Sequence, residues 1–377
     1  MEAVEKGADQ SDLFDLVVIG GGPAGTSAAI TAARGGARVL LLERGSLPRQ
    51  RVCGEFVSAE SLGILRSLLS GTALLGSDWE TLARIGRGRL FVDGSVLEAA
   101  IDPPAASISR IDLDFALWEA ALNAGVDARQ QQTVASVSHS AHFVIATGSN
   151  MFESRSVIDA SGRWSSLSAA RGLRSNLNGE KYLGLKAHFS EATPAESVDL
   201  YFFEGGYCGV QPLTSVGTEN YINACAMVRS DRASSLLEVF ACHPALRARS
   251  THWKQVTDTV TTAPLIFRRP EPEHNQTLLA GDAAGFVDPF VGDGISLALR
   301  SGVMAANSLE GFLVRGETLD KACQHYRRTY LHNLLPVFRT SSRIRRLFSL
   351  PMAIRGPMAR VLQHTPALTR YLVQKTR

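Results

Sequence analysis

The chain has 377 residues, 45% of them hydrophobic and 20% charged, and a net charge of only +3. That composition excludes a disordered or collagen-like chain, and the length calls for two or three lobes or one large domain carrying insertions. No apolar run reaches the roughly 18 residues needed to span a bilayer, and five scattered cysteines with no C-x-x-C pair argue against a disulfide framework or a zinc site.

Met1 to Ser11 is polar and acidic, without the basic start and apolar run of a signal peptide, so a cytoplasmic protein is expected. Phe14 to Ile19 is a β-branched apolar run of the kind found in a buried parallel strand. It ends at Gly20-Gly21-Gly22-Pro23-Ala24-Gly25, and small residues continue as a helix until Gly35-Gly36 stops it. Arg38 to Leu42 follows as a second strand, closed by Glu43-Arg44, which completes a β-α-β unit. Ser61 to Leu69 reads as a helix, Leu90 to Ala99 as a hairpin turning at Asp93-Gly94, and Ile111 to Ala124 as an amphipathic helix. Val157 to Ala160 is a short buried strand ending at Ser161-Gly162. Between about Leu183 and Val228 the alternation predicts an antiparallel sheet. Thr277 to Ala280 is another buried strand, and a helix runs from about Gly294 to Glu310. After Lys321 the chain reads as helices broken by Pro336, Pro351, Pro357 and Pro366.

The spacing Gly20-x-Gly22-x-x-Gly25 carries the first chemistry. Gly20 permits the tight turn out of the strand. Gly22 admits a pyrophosphate to the backbone, and Gly25 lets the helix sit on the sheet. Free N–H groups at the start of the helix that Pro23 and Ala24 open then face the phosphates. Glu43 lies 18 residues after Gly25, where a carboxylate can accept from ribose hydroxyls. A second constellation decides which dinucleotide is bound. Leu278 to Gly285 is a strand ending in Gly281-Asp282, whose carboxylate and backbone N–H suit a ribityl hydroxyl or a phosphate. Asp288-Pro289-Phe290-Val291-Gly292-Asp293-Gly294-Ile295 then opens a helix whose positive end suits the edge of a flavin ring that gains negative charge on reduction. A nicotinamide dinucleotide alone has no use for this second clamp, so the cofactor is expected to be FAD.

These residues resemble the glutathione-reductase-type FAD superfamily, in the branch of p-hydroxybenzoate hydroxylase, flavin-dependent halogenases and geranylgeranyl reductases. The resemblance covers most of residues 14 to 325 and is strongest to the geranylgeranyl reductase-like group. Further matches are Pro48 to Gly54, Ile108-Ser109-Arg110 and Asp159 to Arg163. The resemblance implies FAD contacts from Arg44, Arg51, Arg110 and Asp282, and an isoalloxazine lined by Pro289, Gly292, Gly294 and Ile295. It also places Cys53 near the flavin. There the thiol, with its pKa lowered by Arg51, acts as an acid or gate, or it merely fills space. Glu55 donates a proton if desolvated. Tyr207 and Pro212 match a Y-x-W-x-F-P pattern in which Gly209 and Gln211 replace the aromatic residues. That departure argues against halogenation and leaves Tyr207 either facing substrate or packed in the core. His188 is expected to be structural.

The expected fold is α/β: a Rossmann-like FAD-binding three-layer domain with an inserted antiparallel β-sheet substrate domain and a helical C-terminus. Its segments are 12–75, 105–178 and 275–325 for FAD, 76–104 and 179–274 for substrate, and 326–377 for the terminal helices. The expected reaction is hydride exchange between flavin and a small apolar organic substrate. The alternative is a monooxygenase in which reduced flavin captures oxygen at C4a. No second G-x-G-x-x-G appears, so electrons are expected from transient NAD(P)H or a separate reductase. No metal site is expected. Asp and Glu end at Asp320, leaving a basic tail. The acidic body opposes nucleic acid. The tail admits either peripheral membrane contact or ordinary packing with solvated arginines.

Overall fold

A computed structural model describes residues 13–70, 79, 81–163, 167, 181–214, 219–262, 265, 267, 269–289 and 292–348. The first strand, β1 (Leu13–Ile19), leads into helix α1 (Pro23–Arg34) and strand β2 (Val39–Leu42), with Ile19 level with Leu42 in a parallel register. Leu16, Val17 and Val18 have no exposed surface, as expected for the centre of a parallel sheet covered on both faces. Each such side chain contributes about 1.5–3 kcal/mol of burial.

β3 (Phe56–Val57) and α2 (Ala59–Leu68) precede a long hairpin, β4 (Ala83–Val92) and β5 (Ser95–Ser107), which turns at Asp93-Gly94. α3 (Arg110–Asn123) is capped by Ser109, whose hydroxyl accepts from the Asp112 N–H. β6 (Asp127–Arg129), β7 (Val134–His139), β8 (Phe143–Thr147) and β9 (Met151–Asp159) complete this stretch. The first sheet runs β16-β17-β9-β1-β2-β6, where β16 is Glu273–His274 and β17 is Thr277–Leu279. The strands from β17 to β6 are parallel. β9 is longer than its buried sequence run suggests. Its first half pairs with the β7–β8 hairpin and its second half with β17, along the same edge.

Among the described residues the second sheet has nine strands, with β10 (Tyr182–Ser190), β11 (Ser197–Phe203), β12 (Gly206–Pro212) and β13 (Tyr221–Arg229) at its centre. β14 (Lys254–Gln255) and β15 (Val260–Thr262) share one edge of β10. The antiparallel sheet expected between about Leu183 and Val228 is present, and the earlier β4–β5 hairpin joins it through one parallel pair, β11 with β4. The β4–β5 hairpin comes from an earlier stretch of chain, so no tight turn forces the antiparallel sense there. On β10, period-2 alternation sends Leu185, Ala187 and Phe189 into a core with α4 (Leu236–Ala241) and α5 (Pro244–Ser250), and Gly184, Lys186 and His188 to the opposite face.

After β17 a 3-10 turn (Gly281–Ala283) precedes α6 (Gly294–Arg315), α7 (Leu319–Asn333) and α8 (Leu335–Phe348). Pro336 falls in the first turn of α8, where it costs no hydrogen bond. The expected helices around Pro351, Pro357 and Pro366, and motif residues Phe290 and Val291, lie outside the described residues. Among the described residues no helix is long and apolar enough to cross a membrane.

Candidate functional site

One cavity of about 670 Å³ runs between the two sheets, from Glu43 and Arg44 at one end to Pro289, Gly292 and Ile295 towards the other. At its nucleotide end, Gly20 takes φ +108°, a turn that side-chain-bearing residues rarely adopt. A Cβ on Gly25 would lie 1.7 Å from the Gly20 carbonyl oxygen, so the first turn of α1 fits only with glycine there. A Cβ on Gly22, by contrast, would meet no protein atom within 4 Å. Gly22 is the N-cap of α1 and offers no side-chain cap, which leaves N–H donors at that helix end for a ligand, with Pro23 and Ala24 on the cavity wall.

Glu43 is buried. Its carboxylate accepts from Gly21 N at 2.8 Å and Gly45 N at 2.8 Å, and pairs with Arg49. Burial pushes its pKa up, but the two backbone donors and Arg49 together hold it below the usual carboxylate range. The expectation of a carboxylate free for ribose is therefore narrowed. Of about four lone-pair directions, three are taken within the protein.

Arg51 lines the cavity with no ion pair among the described residues. Burial, and then the charges of Arg49 and Arg110, push its pKa down to about 10. Arg110, the first residue of α3, is bonded to Asp114 through both ends of its guanidinium, at 2.8 and 2.6 Å. Burial opposes that charge, and Asp114 more than offsets it. Asp282 follows Gly281 in the 3-10 turn, with Arg163 Nε 3.4 Å from its carboxylate. Burial raises the Asp282 pKa, and Arg163 and Arg110 restrain the rise. Arg163 Nη1 is buried without a hydrogen-bond partner. At the ring end α6 starts at Gly294. Asp293 is its N-cap and makes no side-chain cap bond.

The segment Cys53-Gly54-Glu55 forms the wall between these ends. Asn223 Nδ2 donates to the Cys53 carbonyl at 3.0 Å and to the Gly54 carbonyl at 2.9 Å. Glu55 has φ +60° and a fully buried carboxylate, which lies 2.8 Å from Lys186 Nζ and 2.8 Å from His188 Nε2 and accepts from Arg110 N at 2.7 Å. Lys186 also bonds Gln50. Two expectations are corrected here. Desolvation does push the Glu55 pKa up, but His188 and Lys186 outweigh it, so Glu55 is held as a carboxylate and has no proton to give. The Cys53 thiol is pushed up, not down, because burial exceeds the opposing pull of Arg110, the guanidinium beside it.

β12 presents Tyr207, Gly209 and Gln211 to the cavity, while Cys208 and Val210 face the other way into the core. Burial raises the Tyr207 pKa well above 10, so its phenol stays protonated. Around it the wall is apolar: Leu90, Leu97, Ile101, Leu200 and Met227. The structure thus brings the residues named above for cofactor or catalysis to one cavity, except Gly25, which lies behind the turn against the Gly20 carbonyl. Sequence reading did not single out Lys186 or Asn223, and it quoted Arg163 only as the end of a matched segment, with no role. A lysine two residues from His188 on an otherwise apolar strand was the available signal for the first.

Residues 15–182 match the family described as FAD dependent oxidoreductase. The chain is 27% identical over 338 residues to a digeranylgeranylglycerophospholipid reductase of Methanococcus vannielii, covering 83% of each protein. It is 25% identical over 332 residues to conditioned medium factor receptor 1 of Dictyostelium discoideum, covering 80% of this chain but only 64% of that protein. A solved geranylgeranyl bacteriochlorophyll reductase-like protein of Thermoplasma acidophilum has the same fold, with TM-score 0.76 and 20% identity over 97% of this chain and 96% of that one. The residues present fit FAD. The open space at Gly22, Arg51 with no ion pair among the described residues and the orphaned Arg163 nitrogen are an anion-seeking set along a single cleft.

Proposed function

We propose that this FAD-dependent oxidoreductase exchanges a hydride between its flavin and a small apolar organic molecule, in the manner of a reductase or dehydrogenase. The observation that carries this reading is the wall around Tyr207. The cavity is apolar there, and Glu55, a buried carboxylate of the same cavity, is locked to Lys186 and His188. FAD, once bound, supplies the ring that gains and loses the hydride. Gly20 to Gly25 and Glu43 would hold its nucleotide end, Arg51 and Asp282 its phosphates and ribityl chain, and Gly292 to Ile295 its ring. Cys53, kept as a neutral thiol by burial, would hold the proton that accompanies the hydride. Tyr207 would orient the substrate. Electrons would reach the site from NAD(P)H or a separate reductase.

The test is anaerobic. Holoprotein is reduced with dithionite, freed of excess, and mixed with unsaturated apolar compounds. Return of the oxidised flavin spectrum together with a reduced product supports the proposal. Reoxidation only on admitting oxygen, with substrate-dependent oxygen uptake, would assign the protein to oxygen-using chemistry instead.

A further inference from the structure

Asn223 of β13 sits directly opposite His188 of β10 in the antiparallel register. The two side chains grip neighbouring points of one loop. His188 Nε2 holds the Glu55 carboxylate at 2.8 Å, and Asn223 Nδ2 donates to the carbonyls of Cys53 and Gly54 at 3.0 and 2.9 Å. Asn223 is 1% exposed, and its Oδ1 is buried without a hydrogen-bond partner. The amide orientation is fixed, because turning it over would set Oδ1 against two carbonyl oxygens. A buried, unpaired acceptor costs free energy. The two bonds to the loop are thus made at the expense of that oxygen, and what they secure is the segment carrying Cys53.

That segment needs securing. A Cβ on Gly54 would meet nothing within 4 Å, so packing leaves the peptide open on that side. The next residue, Glu55, has φ +60°, a conformation that side-chain-bearing residues adopt at a cost and that the surroundings have to hold. The Cys53 sulfur belongs to the same turn, accepting from the Glu55 N–H at 3.3 Å. A shift of the Cys53 and Gly54 carbonyls therefore carries the thiol with it.

We propose that Asn223 is a positioning residue: by gripping the Cys53 and Gly54 carbonyls it fixes where the Cys53 thiol stands on the cavity wall. Displacing a reacting group by about 1 Å is enough to slow a reaction severely. The inference deepens the hydride reading and rests on it only for the proton assigned to Cys53.

The experiment is alkylation of the holoprotein by N-ethylmaleimide, followed cysteine by cysteine by peptide mass mapping, in wild type, Asn223→Leu and Asn223→Ser. Loss of both bonds in Asn223→Leu should open the loop and speed reaction at Cys53 about tenfold. Asn223→Ser, with one shorter donor, should fall between. Cys208 and Cys323, buried elsewhere, should react as in wild type. In anaerobic single turnover, geraniol is offered to the dithionite-reduced holoprotein. Asn223→Leu should slow flavin reoxidation about tenfold or more, at an unchanged half-saturating concentration, and should add nothing when Cys53 is already alanine. A wild type that geraniol leaves reduced would count against the hydride reading, and alkylation alone would then decide the role of Asn223. Cys53 alkylation unchanged in both variants, Cys208 and Cys323 exposed together with it, or a turnover loss that persists in full in the Cys53→Ala background would overturn the proposal.

Discussion

The Lys186 ammonium lies 2.8 Å from the Glu55 carboxylate, and neither side chain has any exposed surface. The pair bridges β10 of the second sheet and the loop that carries Cys53. Because Glu55 also accepts from the N–H of Arg110, it ties α3 to the same point. Isolated buried charges are expensive, so each partner depends on the other. Lys186→Met should destabilise the holoprotein by about 3–5 kcal/mol, and Glu55→Gln by a comparable amount. Combining the two should cost clearly less than their sum. Urea unfolding of the four proteins measures this, and strict additivity would show that the pair is not coupled.

The same carboxylate sets a pH dependence. The folded pKa of Glu55 lies below its ordinary value of 4.5, and Glu43 is lowered too. Their contribution is complete above the unfolded pKa and is lost as pH falls through the folded one. Stability measured from pH 7 downwards should hold to about the ordinary carboxylate pKa and then decline. Glu55→Gln should decline less steeply over that acid range. Parallel curves for the variant and wild type would remove Glu55 from the account.

The glycine turn allows a sharper separation. A Cβ at position 25 meets backbone at 1.7 Å, whereas a Cβ at position 22 meets nothing within 4 Å. Gly25→Ala should therefore damage both folding and flavin binding. Gly22→Ala should leave the apoprotein's thermal midpoint nearly unchanged while lowering FAD affinity, because the space it fills belongs to the cofactor. Full flavin retention in Gly22→Ala would move the pyrophosphate elsewhere.

Cys53 is predicted to be a protonated thiol at neutral pH, since burial raises its pKa. If it handles the proton of the reaction, Cys53→Ala should lower turnover by about a hundredfold or more with little loss of flavin. Cys53→Ser should be intermediate. Unchanged turnover in both variants would reduce the residue to packing.

Much of this arrangement is legible in the sequence because local rules govern it. The strand-to-helix turn at Gly20 to Gly25, the acid at position 43 and the Gly281-Asp282 step obey short-range backbone constraints, and the structure gathers them in one cleft. The charge states of Cys53 and Glu55 were not legible. Glu55 depends on Lys186 and His188, more than 130 positions away in sequence, and Cys53 on how deeply its loop is buried and on Arg110, none of which spacing encodes. The parallel pairing of β4 with β11 escaped for the same reason, since it joins segments with no connecting turn.

The account stands on two separated glycine turns holding a single cofactor, and titrating apoprotein with FAD while following flavin fluorescence tests that most directly. Saturation at one FAD per chain, weakened at least tenfold by Asp282→Ala or Arg51→Met, is the predicted result. Failure to take up FAD, or uptake indifferent to both substitutions, would contradict it.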